Sequence, residues 1–155
     1  MEVERDSPQV CFPPPLLALS CVFVGASLQW VYPIRFAPDS LRWVLSGLLI
    51  GVGLGTILYC AWKFKKAGTS IEPWKKTSKI ITSGIYRFTR NPIYLSFSVI
   101  GTGISFAANS AWILLMMFPL VLLLTRFVIA KEERYLEASF GEEYLSYKRK
   151  VRRWL

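Results

Sequence analysis

A cationic and aromatic stretch, residues 83–95, runs directly into an apolar segment of the chain. It contains the guanidinium groups of Arg87 and Arg90 and the phenol rings of Tyr86 and Tyr94. Such side chains are costly where water meets hydrocarbon unless an anionic or amphiphilic group makes use of them. We therefore expect this stretch to form part of a binding site at a membrane surface.

A second charged cluster, Lys131-Glu132-Glu133-Arg134, follows the last apolar segment. The arginines and tyrosines of residues 83–95 also have a purely structural explanation. The arginines could reach toward lipid head groups, and the tyrosines could lie at the membrane interface. This alternative explains the two carboxylates less well. At the carboxyl end of a helix they face its negative dipole end, which costs about 0.3–1 kcal/mol. An ion pair of Glu133 with Arg126, on the same helix face, is a further structural reading.

The residue types limit the chemistry. Histidine is absent, which excludes histidine acid–base catalysis and histidine-ligated zinc or haem. Cys11, Cys21 and Cys60 form no CxxC pair, so we expect small apolar residues rather than a disulfide framework or a metal site. The net charge of +9 comes from cations that flank apolar segments, which favours lipid head groups over nucleic acid as partners.

The elements that carry these clusters are predicted to be membrane helices. The chain has 155 residues, 53% of them hydrophobic, with a mean hydropathy of +0.37, which indicates one membrane domain over residues 1–155. We predict an all-α, polytopic membrane protein with about four transmembrane helices plus a cytoplasmic C-terminal amphipathic helix. The predicted spans cover residues 16–32, 41–62, 91–108 and 111–130, and the amphipathic helix covers 131–148. Residues 1–13 are expected to be a short, loosely ordered lead-in.

Several residues mark the expected helix boundaries. Pro92 suits the first position of a helix, because proline has no N–H to satisfy. The short Asn109-Ser110 turn predicts an antiparallel hairpin of the third and fourth spans. Gly141 is expected to interrupt the amphipathic helix.

Three glycines, Gly47, Gly51 and Gly55, recur four residues apart on the second span. This spacing lets another helix approach closely. We expect this face to pack against a neighbouring helix, either in this chain or in a second copy, as in a homo-oligomer.

The distribution of Lys and Arg predicts the orientation. Residues 63–90 contain eight and the segment after Ala130 contains seven, whereas residues 33–42 contain two and the 109–110 turn none. Because cytoplasmic loops are enriched in these residues, we predict a multi-pass membrane protein with the site and both termini on the cytoplasmic side.

The chain resembles a known family over roughly residues 63–155, whereas the two N-terminal spans in 1–62 are generic. The motifs are Gly84-Ile85-Tyr86-Arg87-Phe88-Thr89-Arg90-Asn91-Pro92-Ile93-Tyr94-Leu95, Glu132-Glu133-Arg134-Tyr135-Leu136 and Phe140-Gly141-Glu142-Glu143-Tyr144. Their order resembles that of integral-membrane methyltransferases of the isoprenylcysteine carboxyl methyltransferase type, which are similar to phospholipid methyltransferases.

The resemblance implies S-adenosylmethionine as cofactor and assigns candidate residues. The implied cofactor-binding set is Gly84, Tyr86, Arg90, Asn91, Pro92, Tyr94, Leu95, Glu132 and Glu133. Within this set, Arg90 and Glu133 are the candidate catalytic residues. Asn91 stands where the family often has histidine, and it cannot titrate. Ile85 stands where the family often has proline.

The chemistry fits these residue types. Either carboxylate of the Glu132-Glu133 pair can hold the cationic part of the cofactor, and Tyr86 and Tyr94 can pack on its adenine or methylsulfonium. Arg87 or Arg90 can orient an anionic group of the acceptor. Methyl transfer is an in-line displacement, so positioning supplies much of the rate.

The resemblance predicts a membrane methyltransferase with a lipid-like or lipidated acceptor among the membrane lipids, first an isoprenylcysteine-type carboxylate. A carboxylate is already nucleophilic, whereas an amine must first lose a proton. The alternative acceptor is a phospholipid amine. A small helical membrane scaffold or transporter subunit is the non-enzymatic alternative.

Overall fold

The computed structural model describes residues 8, 10, 12–72, 74–75 and 77–155. Most of the predicted lead-in, including Cys11, lies outside the described residues. Every regular element within them is helical, which confirms the predicted all-α class.

The helices follow one another in chain order, with one 3₁₀ turn at Gly84–Arg87 and one π-helical segment at Leu124–Ile129. The α-helices are α1 (Pro14–Val31), α2 (Asp39–Ala67), α3 (Pro92–Ala107), α4 (Ala111–Leu115), α5 (Met117–Leu123), α6 (Ala130–Phe140) and α7 (Glu142–Lys150).

Three helical stretches in the described part of the chain are long and apolar enough to cross a membrane: Pro14–Val31, Asp39–Ala67 and the continuous Ala111–Phe140. The fourth predicted span, α3, is apolar but has only 16 residues. The polytopic membrane architecture is thus confirmed, with α3 as a shorter member of the bundle. The last span runs further than predicted, because α6 continues it to Phe140 without a break.

This last span is not a regular α-helix. Pro119 has no N–H to donate to the carbonyl of Leu115, and α4 ends at that residue. Further on, Leu124–Ile129 forms a π-helix, which has more residues per turn than an α-helix. The wider turn keeps both Leu124 and Ile129 fully buried, and Glu133, four residues later, is buried too.

The core lies where this span meets α1 and α3. Leu120, Leu124, Val128 and Ile129 are fully buried and cluster with Tyr94. The span therefore contributes most of the interior and ends, through α6, at the charged end of the bundle.

Helices α2 and α3 pack closely at two glycines. A Cβ on Gly53 would lie 2.5 Å from Ile100 Cγ1, and one on Gly103 would lie 2.8 Å from Ile50 Cγ1. Neither helix tolerates a side chain at these points without a shift of its neighbour.

The predicted glycine face of α2 does not make this contact. Gly47, Gly51 and Gly55 are exposed, and a Cβ on any of them would meet nothing within 4 Å. The expectation that this face packs within the chain was wrong, because Gly53 lies on the face that α3 covers. Packing against a second copy remains a prediction.

The α3–α4 turn confirms the predicted hairpin. Asn109 takes a positive φ of 47°, and its Oδ1 accepts hydrogen bonds from the N–H groups of Phe36 and Ala37 at 3.0 and 2.9 Å. The hydroxyl of Ser110 accepts from the N–H of Ile113 at 3.2 Å and so caps α4. The hairpin turn is thereby tied to the α1–α2 loop, at the end of the bundle opposite the charged clusters.

Candidate functional site

A cleft opens at the end of the bundle where α2 ends and α3 begins. Its walls come from the loop after α2, from the 3₁₀ turn and the start of α3, and from α6 and α7. The lining residues include Phe64, Ser70, Ile71, Glu72, Thr77, Lys79, Ile80, Ile81, Tyr86, Arg90, Asn91, Pro92, Ile93, Tyr94, Glu132, Glu133, Tyr135, Leu136, Tyr144 and Tyr147. The two charged clusters that the sequence separates therefore meet here.

Seven of the nine residues predicted to bind the cofactor line this cleft: Tyr86, Arg90, Asn91, Pro92, Tyr94, Glu132 and Glu133. Gly84 and Leu95 are not among the lining residues.

Gly84 instead allows the 3₁₀ turn to approach α2. It takes a positive φ of 68°, and a Cβ there would lie 2.3 Å from Tyr59 Oη. Beside it, the Lys63 ammonium donates to the carbonyl of Ser83 at 2.7 Å. Gly84 thus fixes the position of the turn that carries Tyr86.

Glu133 is held by two guanidinium groups. Arg90 Nη1 lies 2.9 Å from its Oε1, and Arg153 donates from Nε to Oε1 at 3.0 Å and from Nη2 to Oε2 at 2.6 Å. The side chains of Glu133 and Arg90 are each only 8% exposed. The ion pair considered for Glu133 with Arg126 is not formed. Because a buried charge needs partners of this kind, Glu133 organises the site rather than facing it as a free carboxylate.

Glu132 has different surroundings. Tyr94 Oη donates to its Oε1 at 2.5 Å, and no cation pairs with it among the residues that the structure describes. Two adjacent carboxylates thus differ: Glu133 is neutralised by arginines, whereas Glu132 meets the cleft with a neutral hydroxyl as its partner.

Arg90 keeps an unused donor. Its Nη1 contacts Glu133 and Tyr144 Oη, the latter at 3.3 Å, whereas its Nε is buried without a partner in the described part of the chain. A buried guanidinium N–H without an acceptor is unfavourable, so this donor is available to an acceptor that enters the cleft.

Tyrosines form much of the remaining wall. Tyr147 Oη donates to the carbonyl of Tyr86 at 2.7 Å, and Tyr135 Oη accepts from the N–H of Thr77 at 3.3 Å. Burial raises the pKa of Tyr86 above its ordinary value and that of Tyr144 to about 12. These phenols therefore stay neutral at physiological pH.

The C-terminal tail is part of the site. The N–H of Arg90 donates to the carbonyl of Arg152 at 3.0 Å, and the carbonyl of Arg153 accepts from Thr89 Oγ1 at 3.2 Å and from Asn91 Nδ2 at 2.9 Å. Asn91, where the family often has histidine, thus uses its amide to hold the tail.

Sequence reasoning missed some of these residues. Tyr135, Tyr144 and Tyr147 recur at spacings that are typical of an aromatic stripe on one helix face, a signal that could have added them to the site. Arg153 carries no such signal, because nothing in the sequence distinguishes it from the neighbouring tail cations, whose charges suit lipid head groups.

A basic groove adjoins the cleft. It is lined by Trp62, Lys63, Lys66, Ala67, Lys79, Ile80, Ile81, Thr82 and Ser83. Residues Lys79, Ile80 and Ile81 line both spaces. The groove brings three ammonium groups beside the cleft, and no acidic residue is among the described residues that line it.

Comparisons with known proteins extend these observations. A family model described as phospholipid methyltransferase matches residues 41–143, which include most of α2, all of α3 and the Glu132-Glu133 pair. A Haemophilus influenzae protein described as uncharacterized is 53% identical over 45 residues, which are 29% of this chain and 68% of that protein. No solved structure matches the chain.

Proposed function

This chain belongs to the phospholipid methyltransferase family, and on that basis we propose that it binds S-adenosylmethionine in the cleft and methylates a lipid-like acceptor. The observation that carries the proposal is Glu132, a carboxylate in the cleft with a neutral hydroxyl as its hydrogen-bond partner. A cationic ligand would complete its surroundings.

The residues of the cleft fit the chemistry of this cofactor. Its cationic groups need an anion, which Glu132 supplies. Its carboxylate end needs a donor, which the unpartnered Arg90 Nε supplies. Its adenine needs flat or apolar walls, which the tyrosines and the Ile80-Ile81 pair supply. When bound, S-adenosylmethionine provides an activated methyl group on a sulfonium.

The chain's own residues then bind and orient. Glu132 attracts the cationic groups, and Tyr94 fixes its carboxylate through the 2.5 Å hydrogen bond. Glu133 and Arg153 keep the Arg90 guanidinium in place. In a displacement that depends on alignment, such prior order accounts for much of the rate.

For the acceptor, we propose first a phospholipid amine. The basic groove beside the cleft suits a phosphate, since three ammonium groups line it and its lining in the described part of the chain contains no acid. This order differs from the sequence-based expectation and rests on the groove and on the family description.

An isoprenylcysteine-type carboxylate is the second candidate. The same groove suits a carboxylate. The chain has no histidine to serve as a base, and a carboxylate acceptor needs none because it is already deprotonated.

By the Lys and Arg count, we propose that the site faces the cytoplasm.

Calorimetry on the purified protein in lipid nanodiscs tests cofactor binding. We expect Glu132→Gln to lose about 1.5–3 kcal/mol of binding free energy, or roughly 10- to 150-fold in affinity, because a charged hydrogen bond is lost. Glu142→Gln is the matched control, since the Glu142 side chain is 80% exposed. Absence of binding by the wild-type protein would instead favour the non-enzymatic scaffold.

Product analysis separates the acceptors. Nanodiscs that contain phosphatidylethanolamine or an isoprenylcysteine analogue are incubated with methyl-labelled cofactor, and the labelled lipid is identified. Label in the amine lipid alone supports the first candidate, and label in the thioether carboxylate alone supports the second.

A further inference from the structure

The last residues of the chain fold back onto the candidate site. Two backbone carbonyls of the tail, those of Arg152 and Arg153, accept hydrogen bonds from the residues immediately before α3. The next residue, Trp154, packs against the apolar core. The tail is thus anchored on both sides of Arg153.

The Arg153 side chain extends this attachment into the charge network. Its guanidinium reaches both oxygens of Glu133, one from Nε at 3.0 Å and one from Nη2 at 2.6 Å. One of these oxygens also contacts Arg90 Nη1 at 2.9 Å. Arg153, Glu133 and Arg90 therefore form one connected chain of charges that ends in the cleft.

The neighbouring arginine provides a contrast. Arg152 is exposed and contributes its backbone carbonyl, whereas the Arg153 side chain is 37% exposed and is engaged in two charged hydrogen bonds. A tail whose only role was to attract lipid head groups would not need one of its two arginines paired with a buried carboxylate.

We propose that Arg153 is a positioning residue of the cofactor site. By holding both oxygens of Glu133 it fixes the carboxylate that orients Arg90, and it adds one positive charge to the site. This inference rests on the proposed function for the identity of the ligand. It involves no bond made or broken.

The charge of Arg153 allows a test that distinguishes an electrostatic role from a general structural defect. The test compares the affinities for two ligands that differ in charge. S-adenosylmethionine carries a sulfonium cation, whereas S-adenosylhomocysteine has a neutral thioether at the same place. Removal of Arg153 leaves the site more negative by one charge, which favours the cationic ligand relative to the neutral one. A purely structural defect would lower the affinities for both ligands by the same factor.

The experiment measures the affinities for both ligands by calorimetry on the whole 155-residue chain in nanodiscs. For Arg153→Ala we expect the affinity for each ligand to fall about tenfold or more, because a bidentate charged contact is removed. The fall should be several-fold smaller for S-adenosylmethionine than for S-adenosylhomocysteine. Arg152→Ala removes the same charge one residue away and is expected to match the wild type.

A chemical rescue strengthens the test. Because Arg153 is partly exposed while Glu133 is buried, a guanidinium ion from solvent can enter the space that Arg153→Ala opens. We expect guanidinium chloride at a low, non-denaturing concentration to restore part of the affinity, and the same concentration of sodium chloride not to do so.

Three outcomes bear on the inference. A folded Arg153→Ala protein with the affinities of Arg152→Ala would overturn it while leaving the proposed function intact. If Arg153→Ala does not fold, Arg153→Lys decides: a single ammonium cannot reproduce the two-oxygen contact, so unchanged affinities would overturn the inference. Wild-type protein that binds neither ligand would contradict the proposed function and the inference together.

Discussion

Tyr147 donates a hydrogen bond of 2.7 Å to the backbone carbonyl of Tyr86. The bond joins the last helix of the chain to the 3₁₀ turn before α3, and both residues line the cleft. The shape of the cleft therefore depends on a contact between its two sequence-distant walls.

Replacing Tyr147 by phenylalanine should weaken that contact. The Tyr86 carbonyl would lose its partner in a buried place, at a cost of about 1–3 kcal/mol. We expect a lower thermal unfolding temperature in detergent and weaker cofactor binding. Tyr32→Phe is the control, because the Tyr32 side chain is 66% exposed. Equal behaviour of the two variants would mean that this hydrogen bond does not hold the cleft.

Gly84→Ala should destabilise the protein more than Gly68→Ala. Both glycines take a φ of 68°, so an alanine at either position adopts a left-handed φ that costs about 1–2 kcal/mol. Only the Cβ at Gly84 would also meet Tyr59 Oη, at 2.3 Å, whereas that at Gly68 would meet nothing within 4 Å. The difference between the unfolding temperatures of the two variants measures the cost of the contact with Tyr59. Equal decreases in unfolding temperature would show that this contact costs little.

Gly25→Ala should disturb the bundle, whereas Gly51→Ala should not. A Cβ on Gly25 would lie 2.7 Å from the Cα of Ile113, a backbone atom that cannot rotate away. We expect α1 to separate from α4 and the unfolding temperature to fall in the first variant. The measurement is thermal unfolding in detergent, and an unaffected Gly25→Ala would show that α1 can shift at little cost.

The exposed glycine face leads to a related test with Gly51→Leu. If a second copy covers this face in the membrane, cross-linked dimers of the wild type should be lost in the variant while its monomer stability is unchanged. Cross-linking that is equal in both proteins would count against a dimer through this surface.

Stability should fall at alkaline pH. The folded pKa of Tyr144, about 12, lies above its unfolded value of about 10, because burial favours the neutral phenol. Its contribution is therefore complete below pH 10 and is lost as the pH rises toward 12. Unfolding temperatures recorded from pH 8 to 12, with tyrosinate absorbance, test this. Tyr144→Phe should flatten the curve, and a wild-type curve that is already flat would contradict the expectation.

The predicted orientation can be tested by reporter fusions. From the Lys and Arg count, fusions after residues 75 and 155 should report the cytoplasm, and fusions after residues 36 and 109 the opposite side. An external signal at residue 75 would reverse the assignment of the site.

Local backbone chemistry explains which features could be predicted from the sequence. Pro92 begins α3, Asn109-Ser110 forms the tight turn, and Gly141 separates α6 from α7 with a φ of 52°. Each of these depends on what one or two residues allow the backbone to do, so it can be read without knowing the rest of the fold.

The pairing inside the site could not be predicted in this way. Glu132 and Glu133 are adjacent and chemically identical, yet one meets Tyr94 and the other meets two arginines. The difference arises from where α6 points and where the tail returns. Both are properties of long-range packing that neither periodicity nor spacing reports.

The π-helical segment Leu124–Ile129 has a consequence for comparing relatives. Its wide turn accommodates about one residue more than an α-helical turn. The residues after it are therefore rotated by roughly 100° relative to their positions in an uninterrupted α-helix of the same sequence. A homologue that lacks that residue and forms an uninterrupted α-helix would present its acidic pair in the same direction, because the wide turn takes up the extra residue. Alignments of such sequences should therefore allow a one-residue gap here, inside an apolar span where gaps are usually forbidden.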